Sequence, residues 1–218
     1  MKNLDQRNQI IEYSLKLNST NLSPLRSGNI SLRAKEDDIE GYLITPSGKK
    51  YETLEPQDIV FMGLNEEEEK NDSVNKPSSE WRFHRDIYVN KKEAHAIVHA
   101  HSPHATAVSS HGKSIPPFHY MIALAGGDDI KCAEYATFGT EELSKNVIKA
   151  LENRSACLMS NHGQVAFGKN LEDAFELAQE VENICHQYTI ALRLGQPKIL
   201  SFKEMKKVLD KSKNYKKR

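Results

Sequence analysis

The chain has 218 residues, with 30 Lys and Arg set against 30 Asp and Glu, 9 His and 3 Cys. A zero charge balance lacks the basic excess that draws proteins to phosphate backbones, and no apolar run reaches the roughly 18 to 20 residues of a membrane span, so neither nucleic acid nor membrane is an expected partner. Cys132, Cys157 and Cys185 are odd in number, far apart and free of any CxxC pattern, and the opening MKNLDQRNQI is too polar for a secretory leader. These features point to the reducing cytoplasm. A chain of this size buries roughly 70 % of its unfolded surface and needs no disulfide or structural metal to fold.

In chain order, Leu4, Ile11 and Leu15 recur at helical spacing with Ile10 beside them, which predicts an opening amphipathic helix over residues 1–17. Ile30 to Leu32, Tyr42 to Thr45 and Ile59 to Met62 read as strands separated by turn residues. The acidic stretch from Asn65 to Lys76 cannot bury apolar surface and reads as an exposed loop. Pro77-Ser78-Ser79 opens a helix carrying Trp81, Phe83, Ile87 and Tyr88. Ala96 to His101 is a strand that leads through Ser102-Pro103, an N-cap and first-turn proline, into a helix closed by Gly112. Thr140 caps a further helix; Ala156 to Met159 and Gln164 to Phe167 are strands flanking an Asn161-His162-Gly163 turn; Asn170 caps a long helix ending near Gly195. Ser201-x-x-Glu204 is a capping box for a last helix, and the basic end, about residues 210–218, is expected to be a flexible tail. Without internal repeats or linkers, the sum is one α/β domain over 1–218.

His99-Ala100-His101 carries the most chemistry. Side chains on a strand repeat every two residues, so both imidazoles face the same way at the strand's C-terminal end. With nine histidines an HxH arises easily by chance, and further ligands are needed. Glu80, near a helix start, and His162, in a tight turn, are candidates: three imidazoles and a carboxylate suit a divalent transition metal such as zinc. From spacing alone, His162 as a turn residue satisfied by backbone and Glu80 as a first-turn acid weigh at least as much. His84, one turn after Glu80, could support it by a hydrogen bond.

Ser27-Gly28-Asn29, Ser47-Gly48 and Ser78-Ser79 are rich in small donors and could hold an anion through backbone N–H groups, although each alone also reads as an ordinary turn or cap. There is no GxxxxGK[ST], no GxGxxG after a strand and no GxSxG elbow, which leaves nucleotide binding and serine hydrolase chemistry without support.

Several ordered blocks together resemble one family. They are Gly28-Asn29-Ile30-Ser31, Leu43 to Gly48, Pro77-Ser78-Ser79-Glu80-Trp81-Arg82-Phe83-His84, Val98-His99-Ala100-His101, Ile115-Pro116, His119 to Ala123, Ala125-Gly126-Gly127, Tyr135 to Thr140 and Asn161-His162-Gly163. The chain resembles the class II aldolase/adducin family nearly end to end, most closely its L-fuculose-1-phosphate aldolase branch. The resemblance implies a single α/β domain with a central, mainly antiparallel sheet flanked by helices, assembled as a homotetramer with sites at subunit interfaces. It further implies one zinc per subunit and a reaction cleaving a ketose 1-phosphate to dihydroxyacetone phosphate and a small aldehyde.

By position, Glu80, His99, His101 and His162 match the family's metal ligands, with Glu80 also handling the proton. Gly28, Asn29, Ser47, Gly48, Ser78 and Ser79 match its phosphate-binding positions, Tyr120 a proton donor that reaches a neighbouring subunit's site, and Tyr215 a tail tyrosine that takes part. Arg26 stands where the aldolases commonly have Thr, and the tail after Tyr215 is short and basic. Pentulose-phosphate epimerases of the family carry an Asp near Leu124, a position that here cannot move a proton. Methylthioribulose-1-phosphate dehydratase shares the substrate type and ranks second; a non-catalytic adducin-like domain is the third alternative, disfavoured by retention of all four ligand positions.

Overall fold

The computed structural model describes residues 1–65 and 75–215, with side chains as far as 212. Most of the acidic stretch expected as a loop, residues 66–74, therefore lies outside the described residues.

Helix α1, Leu4–Ser19, leads into a hairpin of β1, Asn29–Glu36, and β2, Ile39–Ile44, and then β3, Val60–Gly63. Helix α2, Trp81–Asn90, precedes β4, Ala96–Ala100, and α3, Pro103–Ser109. The remainder is β5, Cys132–Ala133; α4, Glu141–Ala150; β6, Ala156–Met159; β7, Gly163–Gly168; α5, Leu171–Arg193; and α6, Phe202–Tyr215. The tail expected to be loose from about 210 is helical to Tyr215.

The strands form one 7-stranded sheet in the order β3-β2-β1-β4-β7-β6-β5, antiparallel throughout except for the β5–β6 pair. Each face carries its own core. Alternation decides the assignment: Ala96, Val98 and Ala100 of β4 pack with Ile10 and Leu17 of α1, Ala105 of α3 and Ala174 and Ala178 of α5. Ile97 packs on the opposite face with Trp81, Phe83 and Ile87 of α2 and Leu143 and Val147 of α4. His99 and His101 share the Ile97 face, so they emerge under α2, with β4 buried on both sides between β1 and β7.

Two expectations need correction. The buried line of α1 is Ile10, Ser14 and Leu17, while Leu4 and Leu15 are 47 % and 41 % exposed. Arg7 turns this helix: its guanidinium is buried, bonding Glu36 and the carbonyls of Pro56 and Ile59, and a charged residue on the inner face cannot be read from apolar spacing. At α3 the predicted N-cap, Ser102, makes no capping bond; its hydroxyl accepts from Gln164 Nε2, and the Glu182 carboxylate of α5 takes the His104 and Ala105 N–H groups at 2.8 Å each. Thr140 and Asn170 do cap as their sequence positions predict, accepting from Leu143 N and Asp173 N.

Candidate active site

Strand β4 delivers His99 and His101, the β6–β7 turn delivers His162, and the residue before α2 delivers Glu80. Gly163 permits this turn to press against β4, since a Cβ there would stand 2.4 Å from the Ala100 carbonyl oxygen. Glu80 Oε2 lies 3.0 Å from His99 Nε2, Glu80 Oε1 lies 3.1 Å from His162 Nε2, and His101 Nε2 lies 2.9 Å from His99 Nε2. One donor atom from each of the four falls within 4.8 Å of all the others.

The chemistry of this donor set fits a cation. His99 Nδ1 donates to the Gln164 carbonyl at 2.8 Å, which leaves Nε2 bare and aimed inward. Burial, then His99 and His162, hold His101 down at about 3, so its ring is neutral. Burial pushes the Glu80 carboxyl up, but His99 and His162 outweigh it and hold it well below the usual carboxylate range. Glu80 Oε1 is buried and faces the His162 ring. A buried carboxylate and three imidazoles facing one another, in a cavity with no Lys or Arg among the described residues that line it, form a donor set suited to a divalent cation. Glu80, His99, His101 and His162 could hold such an ion.

A cavity of ≈ 300 Å³ opens on the cluster, lined beyond it by Ser27, Ser79, Tyr135, Phe138 and Asn161. Tyr135 and Phe138 are 61 % and 65 % exposed on the rim, and their loop packs closely enough that a Cβ on Gly139, at φ 77°, would meet the Ser79 carbonyl oxygen at 2.8 Å.

The three segments rich in small donors converge beside this cavity. Thr45 N donates to the Ile30 carbonyl, Ser78 N to the Thr45 carbonyl, and Pro46 pairs with Pro77 in a bridge that sets the 46–48 and 77–79 segments side by side. Ser47, Gly48 and Ser79 are exposed there, Ser78 is buried and accepts from Glu80 N, and Arg26 Nη1 donates to the Gly48 carbonyl at 2.8 Å, tying two of the loops together. Gly28 is buried, and a Cβ on it would meet His99 O at 2.7 Å. Asn29 differs from a free anion-binding residue, because its amide is held between Glu80 and His84.

Tyr120 stands outside the cavity on the 3₁₀ turn Tyr120–Ala125, 54 % exposed. Tyr215 ends α6, and its side chain lies outside the described residues. His84, which its spacing allows to support Glu80 by a hydrogen bond, reaches it through Asn29. Sequence reasoning missed Gln164, whose backbone carbonyl orients His99, because any residue type supplies a carbonyl.

A mostly antiparallel sheet flanked by helices, with one carboxylate and three imidazoles at the end of a central strand, defines a class of metal-site α/β proteins, and the profile of the Class II Aldolase and Adducin N-terminal domain matches residues 8–189. The chain belongs to the class II aldolase/adducin family. A 5-methylthioribulose-1-phosphate/5-deoxyribulose-1-phosphate aldolase of Rhodospirillum rubrum is 44 % identical over 96 % of this chain and 91 % of its own length. An L-fuculose phosphate aldolase of Escherichia coli strain K12 is 46 % identical over 95 % of this chain and 94 % of its own. A solved L-fuculose 1-phosphate aldolase superposes with a TM-score of 0.88 at 38 % identity, covering 98 % of each chain. Like these relatives, the protein is an enzyme of the lyase class. Among the described residues no helix is long and apolar enough to cross a membrane.

Proposed function

We propose that the protein is a zinc-dependent aldolase that reversibly cleaves a ketose 1-phosphate to dihydroxyacetone phosphate and an aldehyde. The observation that carries this reading is the convergence of Glu80, His99, His101 and His162 beside three segments able to hold a phosphate. Three imidazoles and a carboxylate are ligands that zinc would accept, and a chelating substrate would take the place of Glu80, freeing its carboxylate as a base. When bound, the metal supplies a Lewis acid for the C2 carbonyl oxygen, on which negative charge builds as the C3–C4 bond breaks. Among the described residues no lysine lines the cavity to form a Schiff base.

Ser47, Gly48, Ser78, Ser79 and the second Nδ2 proton of Asn29 bind and orient the phosphate, with Gly28 shaping the turn and Arg26 bracing it. In condensation Glu80 removes a proton from the hydroxymethyl carbon of dihydroxyacetone phosphate, which becomes C3; in cleavage it returns one to the same carbon. Tyr120 of a neighbouring subunit in a homotetramer protonates the aldehyde oxygen in condensation and takes the C4 hydroxyl proton in cleavage. Tyr135 and Phe138 offer apolar walls for the aldehyde portion.

Purified protein should carry about one zinc per chain by elemental analysis. Assay of L-fuculose, methylthioribulose and 5-deoxyribulose 1-phosphates for released dihydroxyacetone phosphate then selects the substrate. Release from none of a broad ketose 1-phosphate panel would defeat the reading, and substrate loss without that product would mark dehydration instead.

A further inference from the structure

Behind Glu80 runs a file of buried polar side chains with a single direction. Helix α2 and the residue before it supply Glu80, His84 and Tyr88 at i, i+4 and i+8, and β1 supplies Asn29 and Ser31 on one face, so the two elements interleave. All five are buried, none more than 5 % exposed.

The direction follows from donor and acceptor chemistry. An ionised carboxylate only accepts, so Asn29 must present Nδ2 to Glu80 Oε2, 2.9 Å away, and Oδ1 to His84 Nε2, 2.6 Å away. Because Oδ1 only accepts, His84 Nε2 carries the ring proton and Nδ1 is bare. Ser31 Oγ lies 2.6 Å from Nδ1 and must donate there; Tyr88 Oη lies 2.8 Å from the same Oγ and is left to donate to it. Burial suits every assignment, holding His84 neutral at about 3 and raising the Tyr88 phenol. Phe83 stacks on the His84 ring at 4.7 Å and fixes its plane.

We propose that Tyr88, Ser31, His84 and Asn29 form a one-way hydrogen-bond relay that makes the two oxygens of Glu80 unequal, anchoring Oε2 and leaving Oε1 to carry the proton. The four are positioning residues. Each oxygen faces an imidazole, Oε2 that of His99 at 3.0 Å and Oε1 that of His162 at 3.1 Å, but among the described residues only Oε2 also receives the Asn29 N–H. A carboxylate pinned through one oxygen keeps the other at a constant place relative to substrate, which proximity makes valuable. The catalytic half of this proposal rests on the aldolase reading; the direction of the relay does not.

Two variants separate positioning from bulk. His84→Gln keeps a donor and an acceptor at about the ring's N···N separation, and His84→Phe keeps the ring but neither polar atom. Relative to wild type, His84→Phe should lose kcat by about 10- to 100-fold with KM within a few-fold, and His84→Gln should recover most of that loss. If both variants are equally impaired, or neither is, the relay is refuted. Long-range ¹H–¹⁵N spectra of the wild-type protein should report the Nε2–H tautomer at His84, and the Nδ1–H tautomer would overturn the assigned direction. Should His84→Phe not fold, Ser31→Ala removes the donor to Nδ1. It should lower kcat and zinc affinity, measured by chelator competition, by several-fold, and unchanged values for both would count against the relay. A wild-type protein that cleaves no ketose 1-phosphate defeats the aldolase reading alone, because the tautomer and the zinc titration still decide the relay.

Discussion

Glu80 is pulled two ways, by burial toward the neutral acid and by His99 and His162 toward the carboxylate, and the imidazoles win. A base that is ionised before substrate arrives can accept a proton as soon as it is released from its neighbours. Glu80→Gln keeps shape and size but cannot take a proton, so kcat should fall by about 10²- to 10⁴-fold, with substrate affinity changed only a few-fold. Steady-state release of dihydroxyacetone phosphate measures the first and competition by the same ketose phosphate the second; retained turnover would place the proton elsewhere. Gly163 makes a different demand. Alanine there sets a Cβ against the Ala100 carbonyl and must push the His162 turn away from β4, so Gly163→Ala should cost about 1 to 3 kcal/mol in urea unfolding and weaken metal binding at the proposed site as well. The HxH pair was legible because strand alternation relates residues two apart. The roles of Asn29 and Ser31 toward His84 were not, because pairing between β1 and α2 joins positions far apart in the chain.

At the scale of elements, caps and alternation were readable wherever the controlling residue lay within its own element, as Thr140 and Asn170 do. Arg7 and Glu182 show the opposite case, since each acts on a distant segment and reverses a local expectation. Asp58 belongs to a short 3₁₀ turn, Pro56–Asp58, and closes it by accepting from Glu55 N at 2.9 Å while pairing with Lys49 and Asn75. Burial pushes its carboxyl up, but Lys49, the Glu55 N–H and the Asn75 amide outweigh that and hold it below its ordinary range. A lowered folded-state value means stability that is complete above the unfolded value, about 3.9, and is lost as pH falls through the folded one. Asp58→Asn should therefore be less stable than wild type at neutral pH, and the gap in urea midpoint should close as pH drops below about 4. A gap that does not vary with pH would show that the carboxylate's charge is irrelevant to the turn.

For the whole molecule, a sheet buried on both faces fixes four site residues at one end of its central strand, yet the described chain leaves Tyr120 exposed and outside the cavity. The seven-strand order was not predictable from the sequence, since strand patterns give neighbours in the chain rather than neighbours in the sheet; β4 lies between β1 and β7. An exposed tyrosine with no place in its own chain's site is useful if it enters a neighbour's, and that arrangement predicts complementation between chains. Glu80→Gln retains Tyr120, and Tyr120→Phe retains Glu80; each alone should be nearly inactive. Co-expressed in equal amounts, they should regain roughly a quarter of wild-type activity, because each interface site draws its two groups at random from different chains. If the proposed homotetramer forms, the restored activity should track it through size exclusion and fall on dilution below its dissociation range. If the mixture shows no more than the sum of the separate variants, Tyr120 acts within its own chain or not at all.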